Sequence, residues 1–277
     1  MSGDFNLSAD TLRHQRRLAN QLIYTLKQYY PGALQAFPKC HSLIHLAFLE
    51  QYPTPQAAAA LTEAEWLAFL QFHHYRYLNR AAQLLQALHQ PAPAARIHTG
   101  YVYRVQTIIP LLRTLFHQRA ALEKEIETLF RSHPEAAWWK SLPGIGPLTA
   151  ARLLAYVGDN RLRFPSPGVL QAIAGTVPVT RRSGKVLHVE FRHACSHALR
   201  HAIETFARLS IRRSGWARAY FEAQIARGHS KPRAFRALAN RWLSILWKLW
   251  QTNAPYDEAK HLASRARQGQ PLPLPLS

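Results

Sequence analysis

The most constraining feature of this 277-residue chain is a periodic run of apolar residues between Tyr101 and Arg131. Its members are Val105, Ile108, Leu112, Leu115, Leu122, Ile126 and Leu129, with Arg119 breaking the series. Steps of three and four residues place side chains along one face of an α-helix, as in a coiled coil. The run predicts a long helix that either zips two protomers together or forms an internal helical hairpin. We favour self-association because charged residues are dense at positions 123–127.

Shorter patterns on both sides of this run define the rest of the fold. Thr62 and Glu65 form the capping box of one helix, and Pro110 is expected to kink the long helix or to end its first turn. β-branched residues at 177–180 and 186–190 predict two short strands. We therefore predict a mainly α fold: a helical and coiled-coil N-terminal region, then a helical domain with a helix-hairpin-helix and one small β-hairpin.

Positive charge is concentrated in the second half of the chain. The whole chain carries a net charge of +20, and residues 136–256 hold 19 basic and four acidic side chains. A folded protein this basic is expected to meet a polyanion such as nucleic acid. We divide the chain into a helical region at 1–133, with its coiled coil at about 101–131, a basic domain at 134–257, and a flexible tail at 258–277.

Composition also indicates the cellular compartment. Cys40 and Cys195 are the two cysteines, and they show neither a pairing pattern nor metal-ligand spacing, which fits a reducing cytoplasm and predicts no metal site. Residues 1–10 lack the pattern of a signal peptide. Apolar stretches fall short of the ~20 residues of a membrane span, so no membrane partner is expected.

The sequence Pro143-Gly-Ile-Gly-Pro147 lies between two helical patterns. Glycine allows backbone conformations closed to other residues, and the start of the next helix presents unpaired N–H groups. Such groups bind phosphate without reading a base sequence. Gly144, Ile145 and Gly146 are therefore candidate phosphate contacts, although a tight turn between two core helices gives the same pattern.

Ser183 is a candidate nucleophile because it precedes a glycine and has cations beside it in Arg181, Arg182 and Lys185. A serine beside glycine is usually a turn residue. A nucleophilic serine needs its proton removed and the developing charge stabilised. The cations supply only the second requirement, and Glu190 is the nearest carboxylate in sequence.

Further basic residues follow the predicted hairpin, beside the aromatic residues of the last helices. Arginine binds phosphate through its planar fork and stacks on bases, which suits DNA and RNA equally. The candidates for nucleic-acid binding are Arg192, Arg212, Arg227, Lys231, Arg233 and Arg236.

Several ordered blocks of the second half resemble one known family. The blocks lie at 142–151, 158–167, 174–185, 226–230 and 236–243. Together they resemble the C-terminal domain of the serine-type transposases of the insertion-sequence family numbered one-ten, one-sixteen and nine-oh-two, which are bridge-RNA-guided recombinases. Residues 12–131 are similar, more weakly, to the helical region and coiled coil that precede that domain.

The resemblance implies DNA transposition in which Ser183 attacks a DNA strand to form a transient phosphoserine link. It implies DNA and a structured guide RNA as partners, in the cytoplasm of a bacterium or archaeon at the nucleoid. Members also carry an N-terminal RuvC-like domain whose four acidic residues bind a divalent metal. This chain starts beyond the expected end of that domain, so Mg²⁺ is expected only with an acidic domain from elsewhere. The alternative to an enzyme is a truncated, non-catalytic DNA- or RNA-binding or regulatory remnant that dimerises.

Overall fold

The computed structural model describes residues 2–37, 39, 42–90, 98–183 and 186–267. The chain forms two compact units. The N-terminal unit is Asn6–Leu122, and the C-terminal unit is Glu123–Ser277 together with Met1–Phe5. Within the described ranges the secondary structure is helical apart from one two-stranded antiparallel sheet, so the fold is mainly α, as predicted. None of the described helices is long and apolar enough to cross a membrane.

The N-terminal unit is built from short helices around an aromatic core. Its helices are α1 (Ser2–Tyr29), α2 (Pro31–Ala36), α3 (Leu43–Gln51), α4 (Pro55–Ala59), α5 (Glu63–Phe72), α6 (Ala81–Leu88) and the first part of α7 (His98–Ser132). Phe48 and Trp66 are fully buried in this core and meet edge to face, with ring centroids 5.7 Å apart. The predicted capping box is confirmed, because Thr62 and Glu65 exchange hydrogen bonds at the start of α5.

The periodic run lies on α7, a continuous helix of 35 residues. Val105, Ile108 and Leu112 are buried in the core of the N-terminal unit, so this part of the run packs against other helices of the same chain. Pro110 lies inside the helix and does not end it, contrary to one of the two predicted outcomes. Its ring already holds φ at a helical value, and burial of apolar neighbours offsets the lost hydrogen bond.

The C-terminal unit is arranged around one long helix. Its helices are the end of α7, α8 (Ala136–Lys140), α9 (Pro147–Val157), α10 (Pro167–Ala174), α11 (His197–Ser210), α12 (Gly215–Ala226), α13 (Lys231–Gln251) and α14 (Glu258–Arg267). Helices α10, α11 and α12 pack against α13, and α11 also packs against α9. Trp242 of α13 lies at the centre, 4.8 Å from the ring of Phe206 and 4.7 Å from that of Trp216.

Part of the predicted tail is helical. Residues 258–267 form α14, whose Glu258 accepts a hydrogen bond of 2.9 Å from the N–H of Gly215, at the start of α12. His261 packs on the ring of Trp216 at 4.9 Å. These contacts are made with residues distant in sequence, which is why a local reading assigned the segment to a tail. Residues 268–277, with their prolines, lie outside the described residues.

The predicted hairpin is present with a different first strand. Strand β1 (Val179–Ser183) pairs with β2 (Val186–Glu190), in a register that sets Ser183 opposite Val186 and Val179 opposite Glu190. Strand β2 has the predicted bounds, whereas β1 starts later and continues through residues that were assigned to the turn. Pairing of Arg181 with His188 and of Arg182 with Leu187 keeps this end of β1 in the ladder, although these arginines carry no β-branched signal.

Candidate nucleic-acid interface

The turn between α8 and α9 depends on its first glycine. Gly144 has a φ of +73°, in the left-handed region that favours glycine. A Cβ atom at this position would also lie 3.0 Å from the carbonyl oxygen of Leu209 and 3.2 Å from Cγ of Arg213. The turn is therefore held against the end of α11, which places exposed Arg213 and the neighbouring Arg212 beside it. Arg212 was predicted as a contact, and Arg213 was missed.

The start of α9 offers fewer free donors than the sequence pattern indicates. Pro147 has no N–H, and the N–H groups of Thr149 and Ala150 both donate to the carbonyl of Gly146, at 3.1 and 3.0 Å. Among the described backbone hydrogen bonds, none uses the N–H groups of Gly146 or Leu148. A Cβ atom on Gly146 would have no neighbour within 4 Å, so this side of the turn is open.

A second basic group lines a cleft of about 550 Å³ at the base of the β-hairpin. We call it the arginine cleft. Its walls are residues 175–178 before β1, residues 189–192 at the end of β2, Tyr220 of α12, and residues 233, 236, 237 and 240 of α13. The predicted contacts Arg192, Arg233 and Arg236 meet here. Arg233 is exposed, whereas Nε of Arg192 donates to the carbonyl of Val177 at 3.4 Å.

The guanidinium of Arg236 already contacts other side chains of the C-terminal unit. Its Nε lies 3.5 Å from a carboxylate oxygen of Glu204, an ion pair without hydrogen-bond geometry. Its guanidinium also lies over the ring of Phe191, 4.2 Å from the centroid. Arg236 therefore offers less free charge to a phosphate than exposed Arg233 does.

The base of the hairpin is fixed by an arginine that the sequence reading missed. Arg200 is 8% exposed, and its guanidinium lies over the ring of Phe191, 4.3 Å from the centroid. It also donates hydrogen bonds to the carbonyls of Ala174 and Arg192. Gly175 has a φ of +64°, and a Cβ there would lie 2.7 Å from that of Cys195 and closer still to Nη2 of Arg200. One signal was available: position 200 falls on the otherwise apolar stripe of α11.

Polar side chains tie the segment before β1 to α13. Thr176 is buried and donates to Oδ1 of Asn240 at 2.8 Å. Nε2 of Gln171 donates to the backbone carbonyl of Asn240 at 2.9 Å and to the hydroxyl of Ser244 at 2.7 Å. Together with the Phe191 contacts, these hydrogen bonds fix the orientation of the hairpin relative to the helical core.

The remaining predicted residues lie apart from the arginine cleft. Ser183 ends β1, and the strand rise puts it about 10 Å along the strand from Thr180, which pairs with Val189 of the cleft wall. The side chains of Arg181 and Ser183, and all of Lys185, lie outside what the structure describes, whereas Arg182 is exposed. Arg227 and Lys231 are exposed on either side of the turn at Gly228. The structure thus divides the predicted basic residues among the hairpin end, the cleft, the α8–α9 turn and the α12–α13 turn.

Acidic and histidine side chains are the groups that could hold a divalent metal. The described residues contain no group of three His, Cys, Asp or Glu side chains placed to hold a metal ion. Glu190, the acidic residue nearest to Ser183 in sequence, pairs with Val179 at the opposite end of the hairpin. These residues therefore do not fit a site for Mg²⁺.

Comparison with known proteins gives matches to insertion-sequence proteins. Residues 137–222 match the model of the family described as Transposase IS116/IS110/IS902. Over 267 residues the chain is 31% identical to the Streptomyces coelicolor protein named as a transposase for the mini-circle IS117, covering 92% of this chain and 63% of the relative. It is 29% identical to the 42 kDa protein of insertion element IS900 from Mycobacterium paratuberculosis, covering 83% and 58%. It is 26% identical to the 43.6 kDa protein of insertion element IS110 from Streptomyces coelicolor, covering 90% and 62%.

The family match contains the α8–α9 turn, the β-hairpin and Arg212. The chain spans about three fifths of the length of these curated relatives. Residues 137–222 are thus similar to the Transposase IS116/IS110/IS902 family model, and most of the chain is similar to part of each of these insertion-sequence proteins.

Proposed function

We propose that the C-terminal unit binds nucleic acid during transposition and that Ser183 is the nucleophile that attacks a DNA phosphodiester. The observation that carries the proposal is the hairpin itself. It is anchored to the helical core beside the arginine cleft, it ends in Ser183, and it lies within the transposase family match. A phosphate strand along the hairpin would meet cations at both of its ends.

In the proposed reaction the serine oxygen forms a bond to phosphorus and one phosphorus–oxygen bond to deoxyribose breaks. The departing sugar oxygen takes up a proton, and the serine proton passes to a base. The exposed arginines would hold the strand and offset charge in the transition state. A divalent metal would supply further charge stabilisation, and we assign it to an acidic domain outside the described residues, because these residues do not fit a metal site.

Covalent trapping tests the nucleophile. The full chain would be incubated with end-labelled element DNA, with and without the acidic domain of a relative supplied in trans, and analysed by denaturing electrophoresis. We expect an adduct with the wild type and none with Ser183→Ala. Thr180→Ala, which removes an exposed hydroxyl from the same strand, is the matched control and should retain the adduct. Absence of an adduct from the intact chain in every condition would refute the catalytic role.

The second candidate function is a nucleic-acid-binding or regulatory role without strand cleavage. The observation that favours it is the register of the hairpin, which sets Glu190, the acidic residue nearest to Ser183 in sequence, at the end of the ladder opposite to Ser183. Covalent trapping separates the two functions. Wild type and Ser183→Ala should bind DNA with the same steep salt slope, so only the adduct distinguishes a nucleophile from a binding module.

We also propose self-association through the residues of the α7 run that are not buried within the chain. Val105, Ile108, Leu112 and Ile126 are buried, whereas Leu129 is 44% exposed and Leu115 is half-buried. Sedimentation velocity of the wild type and of Leu115→Lys/Leu129→Lys tests this. We expect the variant to lose the larger species, and a wild type that sediments as a monomer at every concentration would refute it.

A guide RNA is the remaining proposed partner, and the charge of the C-terminal unit supports it. The 19 basic and four acidic residues at 136–256 can neutralise A-form RNA as well as DNA. Competition between a structured RNA from the element and an unrelated RNA of equal length would test it at raised salt, where purely electrostatic binding weakens. Equal competition by the two RNAs would argue against a specific guide.

A further inference from the structure

A separate basic surface lies on the N-terminal unit, outside the family match at 137–222. It is a groove of about 550 Å³ between α1 and α7, which we call the α1–α7 groove. The residues that matter for its chemistry are Arg16, Arg17, Asn20, Gln21, Tyr24 and Arg104. Arg13 also lines it and forms an exposed ion pair with Asp10.

The groove concentrates uncompensated positive charge. Arg16, Arg17 and Arg104 are exposed, and among the described side chains none of them has an acidic partner. Three unpaired guanidinium groups around one groove repel one another and are stabilised by an anion that reaches all of them. Arginine is suited to this role because its planar fork matches a phosphate.

The residues on α1 form a continuous stripe. Positions 13, 16, 17, 20, 21 and 24 follow the helical spacing of three and four, so they lie on one face. The stripe is about 17 Å long at the helical rise per residue. For a strand that stays stacked with the rise it has in a duplex, this length corresponds to at most about five phosphates.

The end of the stripe offers a stacking surface. Tyr24 is 60% exposed and lies in the groove with the arginines. A tyrosine ring stacks on a base only where that base is unpaired. Asn20 and Gln21, between the arginines and the tyrosine, carry donors and acceptors that suit base edges.

The groove is held in shape by the opposite face of α1. Leu22 and Leu26 are fully buried in the core, and the ring of Tyr29 stacks on that of Tyr101 at 6.0 Å. These contacts join α1 to α7 within one unit, so the exposed arginines are presented on a packed scaffold. Binding a ligand therefore requires less loss of conformational entropy than binding to a disordered segment would.

We propose that the α1–α7 groove is a binding site for single-stranded nucleic acid, in which the arginines grip the sugar-phosphate backbone and Tyr24 stacks on a base. The strand comes either from an unpaired segment of RNA or from DNA opened during transposition. This site is separate from the C-terminal surfaces and does not depend on the role of Ser183.

The test uses the full chain and two matched pairs of variants. Arg17→Gln/Arg104→Gln removes one charge from each helix in the groove, and Lys27→Gln/Lys124→Gln removes one exposed charge from each of the same helices outside it. Tyr24→Leu removes the stacking ring, and Tyr103→Leu removes a tyrosine that is 66% exposed on α7 outside the groove. Probes are oligouridylate and oligothymidylate of about twelve nucleotides, within single-strand site sizes, together with a DNA duplex and polyglutamate.

We expect the arginine pair to lower the salt slope on both single strands by about 1.4, at ~0.7 per phosphate contact, and the lysine pair to lower it less. Tyr24→Leu should weaken single-strand binding at least about five-fold and leave duplex binding unchanged, whereas Tyr103→Leu should change neither. Preference for oligouridylate would identify RNA as the source of the strand, and preference for oligothymidylate would identify DNA. Equal losses in groove and control variants, or equal competition by polyglutamate, would overturn the proposal.

Photo-cross-linking gives a positional readout that binding at the C-terminal unit cannot mask. A strand containing 4-thiouridine or 4-thiothymidine is cross-linked to the wild type, and the tryptic peptides are identified by mass spectrometry. The expected modified peptide is residues 18–27, which contains Tyr24 between two cleavage sites. Cross-links confined to the C-terminal unit would overturn the proposal, whether or not Ser183 forms an adduct.

Discussion

Gly175→Ala is the substitution that most directly tests how the hairpin is anchored. The residue has a φ of +64°, a conformation that costs an alanine ~1–2 kcal/mol. The new methyl group would also overlap Arg200 and Cys195, so the arginine must leave its position. Arg200 donates to the carbonyls of Ala174 and Arg192, and losing one such charged hydrogen bond costs ~1.5–3 kcal/mol. We expect a loss of roughly 3 kcal/mol in the free energy of unfolding of the C-terminal unit.

Tryptophan fluorescence in urea measures this loss in the full chain. Six of the seven tryptophans lie in the C-terminal unit, and Trp66 is the one in the N-terminal unit, so the signal reports mainly the unit that carries the substitution. With a slope of about 2 kcal/mol per molar urea, the midpoint should fall by about 1.5 M.

The matched control for this experiment is Gly168→Ala. Its Cβ would meet only Ser166 Oγ, at 3.7 Å, and alanine is favoured over glycine within a helix. The control should keep or raise the midpoint. If Gly175→Ala unfolds at the wild-type midpoint, then Arg200 is not held as described and the anchoring of the hairpin is wrong.

Two further predictions concern the rest of the C-terminal unit. Arg161→Met should cost about 2 kcal/mol in unfolding free energy, because Arg161 donates to the largely buried Glu135 at 2.6 Å. The control Arg131→Met breaks an exposed pair with Glu127 and should change the unfolding free energy by under about 0.5 kcal/mol. Equal losses in the two urea titrations would contradict this prediction. Burial, with a smaller contribution from Arg265 and an opposing one from Glu258, lowers the pKa of His261, so the folded state disfavours its protonated form. The contribution of neutral His261 to the free energy of unfolding is therefore fully present above the ordinary imidazole pKa, and it is lost as the pH falls below that value. His261→Leu should make the melting temperature less dependent on pH between about 7.5 and 5, and an unchanged difference between the two pH values would exclude this contribution.

Local patterns identified many of the helices. The predicted Thr62–Glu65 capping box starts α5, and the predicted long helix at 101–131 lies within α7. These features depend on residues within a few positions of one another, so sequence spacing alone carries the information. Helix α14 was missed, because its order depends on contacts with Gly215 and Trp216, more than 40 positions away.

The candidate site was less accessible from sequence. The number of arginines indicated a polyanion, but an arginine gives no sign of whether it points to solvent or into the protein. The guanidinium groups of Arg200 and Arg236 both lie over the ring of Phe191, whereas Arg233 is exposed. The pattern of neighbours that decides this comes from α11, α13 and the end of β2, which are far apart in the chain.

The sequence by itself determined that the chain is mainly helical, that its second half is strongly basic, and that a short hairpin carries Ser183 next to a glycine. Tertiary structure decided which cations are exposed, that Ser183 ends a strand about 10 Å beyond the residue that pairs with the cleft wall, and that four arginines of the N-terminal unit surround one groove. The physical reason is range: helical periodicity and turn chemistry act between near neighbours, whereas burial and ion pairing depend on elements that meet only after the chain has folded.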